Sequence, residues 1–174
     1  MQSYFDILGL PASFALDDKA LEQAYFSAQR TTHPDRTIGK PEAERIAAFH
    51  LSQLVNEAYE ALKNPLTRAE HLLALQGIIV NGEESKDVPP ALLMEMMDLR
   101  ERLEEASTQG AVLAGVISEI KQQAADSQQT LARLFEMKDY ITAAQEVTRF
   151  AYLGKAMEEA HMLVYRLKAQ AAHA

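Results

Sequence analysis

His33-Pro34-Asp35 lies between two segments whose apolar residues recur at the spacing of one helix face. The first segment runs from Asp17 to Arg30, and the second begins at Pro41. Their apolar positions are Leu21, Tyr25 and Ala28, followed by Leu51, Leu54/Val55, Ala58 and Leu62. Because Pro34 fixes its own φ and disfavours the α region for His33, the first helix should end here. We therefore predict two antiparallel helices whose connecting loop presents His33 and Asp35 to a partner.

Proline and glycine also mark the organisation of the rest of the chain. A helix that starts at Asn64-Pro65 should end at Gly77, where a stretch rich in glycine, proline and charge begins. After Pro90 the sequence contains no proline. We predict an all-α fold with three parts: a helical hairpin with a connector helix in residues 1–76, a linker in 77–88, and a helical bundle in 89–174.

Three helical patterns follow Pro90, and the breaks between them are short. They cover about residues 91–107, about residues 111–137, and a third stretch that starts after Asp139, a residue suited to N-capping. Short breaks imply neighbouring antiparallel helices, so we expect a three-helix bundle. Glycine inside a helix is unfavourable, and we expect Gly115 and Gly154 to mark close helix packing.

Composition and charge exclude several classes of function. The 174 residues contain no cysteine, which excludes disulfides, thiolate metal sites and a cysteine nucleophile. Of the five histidines, none pairs with another at i, i+4, so we expect no metal and no cofactor, and interpret those within helical patterns as core-edge residues. A net charge of −8 without a basic block is unsuited to nucleic acid or anionic membranes. With no long apolar run and no apparent signal peptide, the expected location is the cytoplasm.

The first bundle helix carries more apolar surface than a core stripe needs. With about 100° per residue, one narrow arc forms the expected core stripe: Leu92, Met96, Leu99 and Leu103. Leu93, Met94 and Met97 lie roughly 90–190° away from it. The pattern is equally consistent with a wide core interface and with an exposed, adaptable binding patch, since thioethers repack easily against a partner.

The order of motifs in the first seventy residues resembles the J domain of DnaJ-type co-chaperones. The resemblance rests on Tyr4-Phe5-Asp6-Ile7-Leu8-Gly9-Leu10, on His33-Pro34-Asp35, and on Asn56-Glu57-Ala58-Tyr59-Glu60-Ala61-Leu62-Lys63-Asn64-Pro65. It implies that the hairpin docks on a DnaK-like ATPase chaperone and triggers its ATP hydrolysis. The implied chaperone-binding residues are His33, Pro34, Asp35, Arg30 and Arg36. Of the basic helix face that the family usually has, this chain keeps only Lys19 and Arg30, and Thr32 stands where the family commonly has tyrosine.

Two further segments extend the resemblance to nearly the whole chain. Residues 65–73, PLTRAEHLL, and residues 92–101, LLMEMMDLRE, are similar to the HscB branch of J proteins. In that branch the bundle binds IscU, the scaffold on which iron–sulfur clusters are built. The implied scaffold-binding residues are Leu93, Met94, Met97, Asp98, Arg100, Glu101 and Tyr152. The four-cysteine zinc module of some members is absent from the sequence, as in the shorter bacterial form.

Three classes of function compete at this point. The favoured class is a co-chaperone that binds the IscU-type scaffold through its bundle, delivers it to an HscA-type chaperone, and thereby assists the maturation of iron–sulfur proteins. The alternative is a J protein that serves another client. The third class is an enzyme in which His33 and Asp35 act together as a general base. The sequence shows no nucleophile, Gly-rich loop or metal constellation to support it, so we expect no enzymatic activity.

Overall fold

The computed structural model describes residues 3–32, 35, 38–80 and 88–172, and these residues form helices and turns without any β-strand. The prediction of an all-α fold is therefore confirmed. The chain divides into two compact units, Met1–Gly77 and Ile78–Ala174. The predicted linker, residues 77–88, lies mainly outside the described residues, as does the predicted loop at His33, Pro34 and Arg36.

In the part of the N-terminal unit that the structure describes, the α-helices are α1 (Tyr4–Leu8), α2 (Asp18–Thr32), α3 (Glu42–Lys63) and α4 (Pro65–Leu75). Local chemistry explains where they begin. At the start of α1, the Ser3 hydroxyl accepts a hydrogen bond from the Asp6 amide at 3.1 Å, and the Asp6 carboxylate accepts one from the Ser3 amide at 3.2 Å. At the start of α4, the Asn64 side chain accepts a hydrogen bond from the Leu66 amide at 2.8 Å, with Pro65 in the first turn.

The buried part of α3 is shorter than its apolar pattern predicted. The buried side chains of α3 are Val55, Ala58 and Leu62. Leu51 and Leu54, which the pattern also placed in the core stripe, are 47% and 40% exposed. The pattern gave Leu54 and Val55 as alternatives at one position, and Val55 is buried, so only Leu51 departs from the stripe. Periodicity gives a direction around the helix but not how far along it the neighbouring helices extend.

Arg68 is a buried cation that joins three parts of this unit. Arg68 is only 6% exposed. Its Nε atom donates a hydrogen bond to the Leu62 carbonyl at 2.6 Å, and its Nη1 atom donates one to the Phe14 carbonyl at 2.9 Å. A longer bond of 3.5 Å joins Nη2 to the Lys63 carbonyl. Leu62 and Lys63 end α3, where helix carbonyls lack intrahelical partners and carry partial negative charge. Burial lowers the pKa of Arg68, although the charge of Asp18 opposes this shift.

His71 fixes α4 to α1 in its neutral form. Its Nε2 atom accepts a hydrogen bond from the Tyr4 amide at 3.0 Å, and its ring stacks on the Tyr4 ring with centroids 4.4 Å apart. Burial lowers the pKa of His71. The interpretation of the helical histidines as core-edge residues is confirmed for His71, which is half-buried and packs against aromatic side chains, whereas His50 and His161 are exposed.

The C-terminal unit is a bundle of three long helices: α5 (Pro90–Glu105), α6 (Gly110–Glu136) and α7 (Tyr140–Ala172), with a 3-10 turn at Ala106–Thr108. This confirms the predicted three-helix bundle. Asp139 accepts a hydrogen bond from the Thr142 amide at 3.1 Å, as expected of an N-cap. The bundle core contains buried residues from all three helices and the turn: Leu99, Leu103, Ala106, Leu113, Val116, Ile120, Leu153 and Ala160.

Gly115 and Gly154 do not mark close packing, so that prediction was wrong. Both are exposed, and a Cβ atom built on either would meet nothing within 4 Å. Among the helices that the structure describes, none has both the length and the apolar character required to cross a lipid bilayer.

We expect Arg68→Lys to lower the free energy of unfolding by about 2–4 kcal/mol, because lysine lacks the planar donor fork that bonds to the three carbonyls. Urea unfolding followed by circular dichroism measures this change. Arg45→Lys on the exposed surface of α3 is the matched control and should change stability by less than about 0.5 kcal/mol. Equal stability of the two variants would contradict the role assigned to Arg68.

We expect His71 to make stability dependent on pH in a defined direction. Since burial lowers its pKa below the unfolded value of about 6.5, protons bind the unfolded chain more tightly. The contribution of neutral His71 to the free energy of unfolding is fully present above about pH 6.5, and it is lost as the pH falls through that value towards the folded pKa. Unfolding free energies between about pH 7.5 and 5.5 should therefore fall more in the unaltered chain than in His71→Gln, whose amide oxygen can still accept from Tyr4.

Glu70 does not affect the comparison between the unaltered chain and His71→Gln. Burial raises the pKa of its carboxyl group, which has the opposite effect on stability at low pH, but Glu70 is common to both proteins. Parallel pH profiles for the unaltered chain and His71→Gln would show that His71 does not titrate with unfolding.

Candidate partner-binding surface

Helix α5 presents different residues to the core and to solvent. Leu99 and Leu103 are buried in the core, whereas Leu93, Met94 and Met97 are 48%, 71% and 64% exposed. Of the two arrangements that the pattern allowed, the structure therefore has the exposed one. An exposed cluster of large apolar side chains on one helix is typical of an interaction surface.

A groove of about 340 Å³ separates α5 from α7 and brings several of the implied scaffold-binding residues together. Leu93, Met97 and Arg100 line it from α5, and the half-buried Tyr152 lines it from α7. Met96 also lines this groove and is half-buried, so its predicted place in the core stripe was only partly correct. The groove thus joins α5 and α7 into one candidate surface.

The remaining implied residues, Met94, Asp98 and Glu101, are exposed on α5 and are not among the residues that line the groove. Asp98 lies 3.7 Å from Arg102, which also forms an ion pair and hydrogen bonds with Glu119 of α6. This hydrogen bonding lowers the pKa of Glu119 and raises that of Arg102. Asp98 is therefore part of a charged network that also attaches α5 to α6.

Sequence reasoning missed an ion pair at the same groove. Arg149 of α7 binds Glu95 of α5 with Nη2–Oε1 at 2.6 Å, Nε–Oε1 at 3.1 Å and Nε–Oε2 at 3.3 Å. The hydrogen bond to Glu95 raises the pKa of Arg149. The two residues are 54 positions apart, so local patterns do not indicate the pair. Lys155 and Glu159 also line the groove, and their spacing from Tyr152 along α7 could have identified them.

The N-terminal unit carries the implied chaperone-binding residues. Arg30 and Asp35 are exposed, while His33, Pro34 and Arg36 lie outside the described residues. Thr32, which replaces the tyrosine common in J domains, is buried, and its hydroxyl donates to the Ala28 carbonyl at 3.0 Å. The Thr32 side chain is therefore bonded to the last turn of α2 and does not extend into solvent.

A polar and aromatic cluster holds α2 against α3. The Tyr25 hydroxyl donates to the Asn56 side-chain oxygen at 3.1 Å, and the Tyr25 and Tyr59 rings stack with centroids 4.2 Å apart. Gln29 donates to the Tyr25 hydroxyl at 2.7 Å. Asn56 and Tyr59 belong to the motif quoted above, and the structure gives them a role in fixing the helical hairpin. Phe26 and Phe49, which sequence reasoning did not single out, are exposed on α2 and α3.

In the residues that the structure describes, no group of three or more histidine or acidic side chains is placed to hold a metal ion. The groove and the α5 surface present apolar side chains with charged neighbours. Such an arrangement binds another protein through buried apolar contacts surrounded by polar ones.

Comparisons with known proteins give a family match for each of the two units. The DnaJ domain profile matches residues 3–71, and the profile of the HSCB C-terminal oligomerisation domain matches residues 88–168. The chain is 35% identical over 167 residues to the co-chaperone protein HscB of Proteus mirabilis, covering 94% of this chain and 96% of that protein. It is 37% identical over 157 residues to the HscB homolog of Bordetella petrii, covering 90% and 92%.

The chain belongs to the HscB family. Among solved structures, chaperone HscB from Vibrio cholerae superposes with a TM-score of 0.83 at 30% identity, covering 95% of this chain and 99% of that one. Human co-chaperone protein HscB gives a TM-score of 0.86 at 28% identity, covering 93% and 82%. As an HscB-family protein with a J domain, the chain is a co-chaperone, and a J domain implies an Hsp70-type chaperone as its partner.

Proposed function

We propose that this HscB-family protein is a non-catalytic adaptor between an IscU-type iron–sulfur scaffold and an HscA-type chaperone. The C-terminal bundle holds the scaffold, and the N-terminal helical hairpin engages the chaperone and stimulates its ATP hydrolysis. The outcome is assistance in the maturation of iron–sulfur proteins. The iron–sulfur cluster is cargo of the scaffold in this proposal, not a group that the adaptor holds.

The observation that carries the proposal is the exposure of Leu93, Met94 and Met97 beside the groove that Tyr152 lines. Burial of large apolar side chains in the centre of an interface supplies most of its binding energy, while surrounding charges exclude water and select the partner. Methionine side chains adapt their shape to a partner, which suits a binding surface. Asp98, Arg100 and Glu101 are the polar edge of this surface.

The division of labour between the two units gives the mechanism. The scaffold binds the bundle through apolar contacts, and the chaperone binds the surface that includes Arg30, Asp35 and the neighbouring residues of the tripeptide. ATP hydrolysis by the chaperone supplies the free energy for its tight, long-lived binding to the scaffold. The adaptor contributes position and contact, and none of its side chains takes part in a covalent step.

The deciding experiment measures the ATPase rate of the HscA-type chaperone with the protein alone, the scaffold alone, and both together. The proposal expects stimulation by the protein and a larger than additive effect of the pair. Stimulation by the protein with no added effect of the scaffold would indicate a J protein that serves another client.

We expect Leu93→Ser with Met97→Ser to weaken scaffold binding by more than about 2 kcal/mol, because two anchors of the surface are lost. Isothermal titration calorimetry with the scaffold measures this change. Stability should fall by only about 1 kcal/mol, the helix-propensity cost of two serines at exposed positions. Basal stimulation of the chaperone should persist while the added effect of the scaffold disappears.

The matched control is Leu99→Ser with Leu103→Ser on the opposite face of the same helix. These two side chains are buried in the bundle core, so their loss should destabilise the bundle by at least about 4 kcal/mol. If the Leu93 and Met97 variant melted as early as this control, the exposed surface would be structural and the scaffold would bind elsewhere.

We expect His33→Gln to abolish stimulation of the chaperone ATPase without changing helix content or scaffold binding, because His33 lies outside both apolar stripes of the hairpin. A steady-state ATPase assay and circular dichroism measure the two effects. Lys40→Gln, at an exposed position close in sequence, is the control and should retain stimulation. Loss of helix content in His33→Gln would instead make His33 a structural residue.

A further inference from the structure

The two halves of α5 are attached to the bundle in different ways. In the C-terminal half, Leu99 and Leu103 belong to the same buried cluster as Ala106 and Leu153. In the N-terminal half, Leu92 is buried but does not belong to that cluster, and Met96 is only half-buried beside the groove. The first half of α5 therefore contributes one buried side chain and the second half two, and Leu93 and Met97 lie in the first half.

A chain of polar contacts crosses the bundle at the first half of α5. Glu95 of α5 binds Arg149 of α7 through both carboxylate oxygens, and Arg149 Nη1 lies 3.6 Å from Glu146 Oε1. Glu146 Oε1 accepts a hydrogen bond of 2.5 Å from Ser127 of α6. Because Ser127 is 1% exposed, this chain of contacts ends on a residue fixed by the bundle core.

The ion pair shares a groove with residues of the candidate surface. Glu95 is two residues from both Leu93 and Met97, about 200° around α5 from each, and Arg149 precedes Tyr152 by three residues on α7. All five residues line the same groove. The pair therefore sets the separation between the α5 side and the α7 side of the groove.

We propose that Glu95 and Arg149 are a positioning pair that keeps the first half of α5 at the separation from α7 required for scaffold binding. This inference rests on the proposed scaffold-binding function and assigns to it two residues outside the implied contact set. The pair acts through the placement of Leu93, Met97 and Tyr152. It need not touch the scaffold.

Energetic reasoning separates this role from a role in stability. Both side chains are partly exposed, but the multiple bonds between Glu95 and Arg149 and the link to Glu146 are the conditions under which such a pair contributes measurably. Its loss shifts the balance between two folded arrangements of α5, so global stability changes little. Binding is more sensitive, because the apparent Kd equals the intrinsic Kd divided by the fraction of molecules in the competent arrangement. If loss of the pair lowers that fraction to about one tenth, the Kd for the scaffold rises about tenfold.

The test begins with Glu95→Ala and Arg149→Ala in the full chain. Each should raise the Kd for the IscU-type scaffold about tenfold, measured by isothermal titration calorimetry, with little change in the melting temperature. Combining both changes should weaken binding no further, because either one already breaks the pair. Glu158→Ala, which removes an exposed carboxylate from α7, is the control and should leave the Kd unchanged.

A charge exchange distinguishes positioning from direct contact with the scaffold. Since Arg149→Glu would place a carboxylate beside Glu146, the exchange is made in a Glu146→Gln background, where the amide oxygen can still accept from Ser127. Glu95→Arg with Arg149→Glu should restore the Kd to within about threefold of Glu146→Gln alone, because the pair forms with reversed polarity. Residues that touch the scaffold would not tolerate this reversal.

A distance measurement reads the position of α5 without any partner. The chain has no native cysteine, so spin labels can be attached to cysteines placed at the exposed positions Ala91 on α5 and Gln145 on α7. Pulsed electron paramagnetic resonance should give a narrow distance distribution in the otherwise unaltered chain. The distribution should broaden when Glu95→Ala is added.

Two kinds of result would contradict these proposals. Unchanged affinity in both single variants, or weaker binding with an unchanged distance distribution and no recovery on charge exchange, would overturn the positioning role. Failure of the unaltered chain to bind the scaffold would overturn the proposed function itself, and the inference about binding with it. The behaviour of the unaltered chain therefore separates the two failures.

Discussion

The N-terminal unit depends most on the hydrogen bonds that the buried Arg68 guanidinium donates to three backbone carbonyls. The guanidinium places a positive charge at the end of α3, where the carbonyls of Leu62 and Lys63 point out of the helix. It also bonds to the carbonyl of Phe14, in the segment that leads from α1 into α2. Because the same side chain fixes the end of one hairpin helix and the approach to the other, it constrains how α2 meets α3. The stacking of Tyr25 on Tyr59 then completes a hairpin whose register is already restricted.

In the C-terminal unit the governing constraint is that α5 has two apolar faces. A helix that buried both would leave nothing for a partner, and a helix that buried neither would not stay in the bundle. The chain meets this constraint with buried leucines, Leu99 and Leu103, on one face and exposed methionines on the other. Polar links at the sides of α5, from Arg102 to Glu119 and from Glu95 to Arg149, add attachment without covering the exposed face. Charged residues around apolar side chains also limit unwanted association.

How far the sequence predicts this structure depends on whether a feature is local. The start of α4 follows from Asn64 and its neighbouring proline, and Asp139 caps α7, because these signals act within a few residues. Leu51 and Gly115 were misassigned, because their surroundings depend on how far other helices reach. The exposure of Met97 was one of two allowed outcomes. The pairing of Glu95 with a residue 54 positions away leaves no trace in local periodicity.

Covalent connection of the two units is itself sufficient for the adaptor role that we propose. When two binding modules share one chain, the second binding event takes place at an effective concentration that reaches about millimolar for short connections. Under the proposed function, a scaffold held by the bundle would then be presented to a chaperone held by the hairpin without any requirement that the two units touch. Under the proposed function, selection would therefore act on each surface separately. The bundle surface would be tuned through α5 and its contacts with α7, and the hairpin surface through the helices that flank the tripeptide, with the connection supplying the coupling.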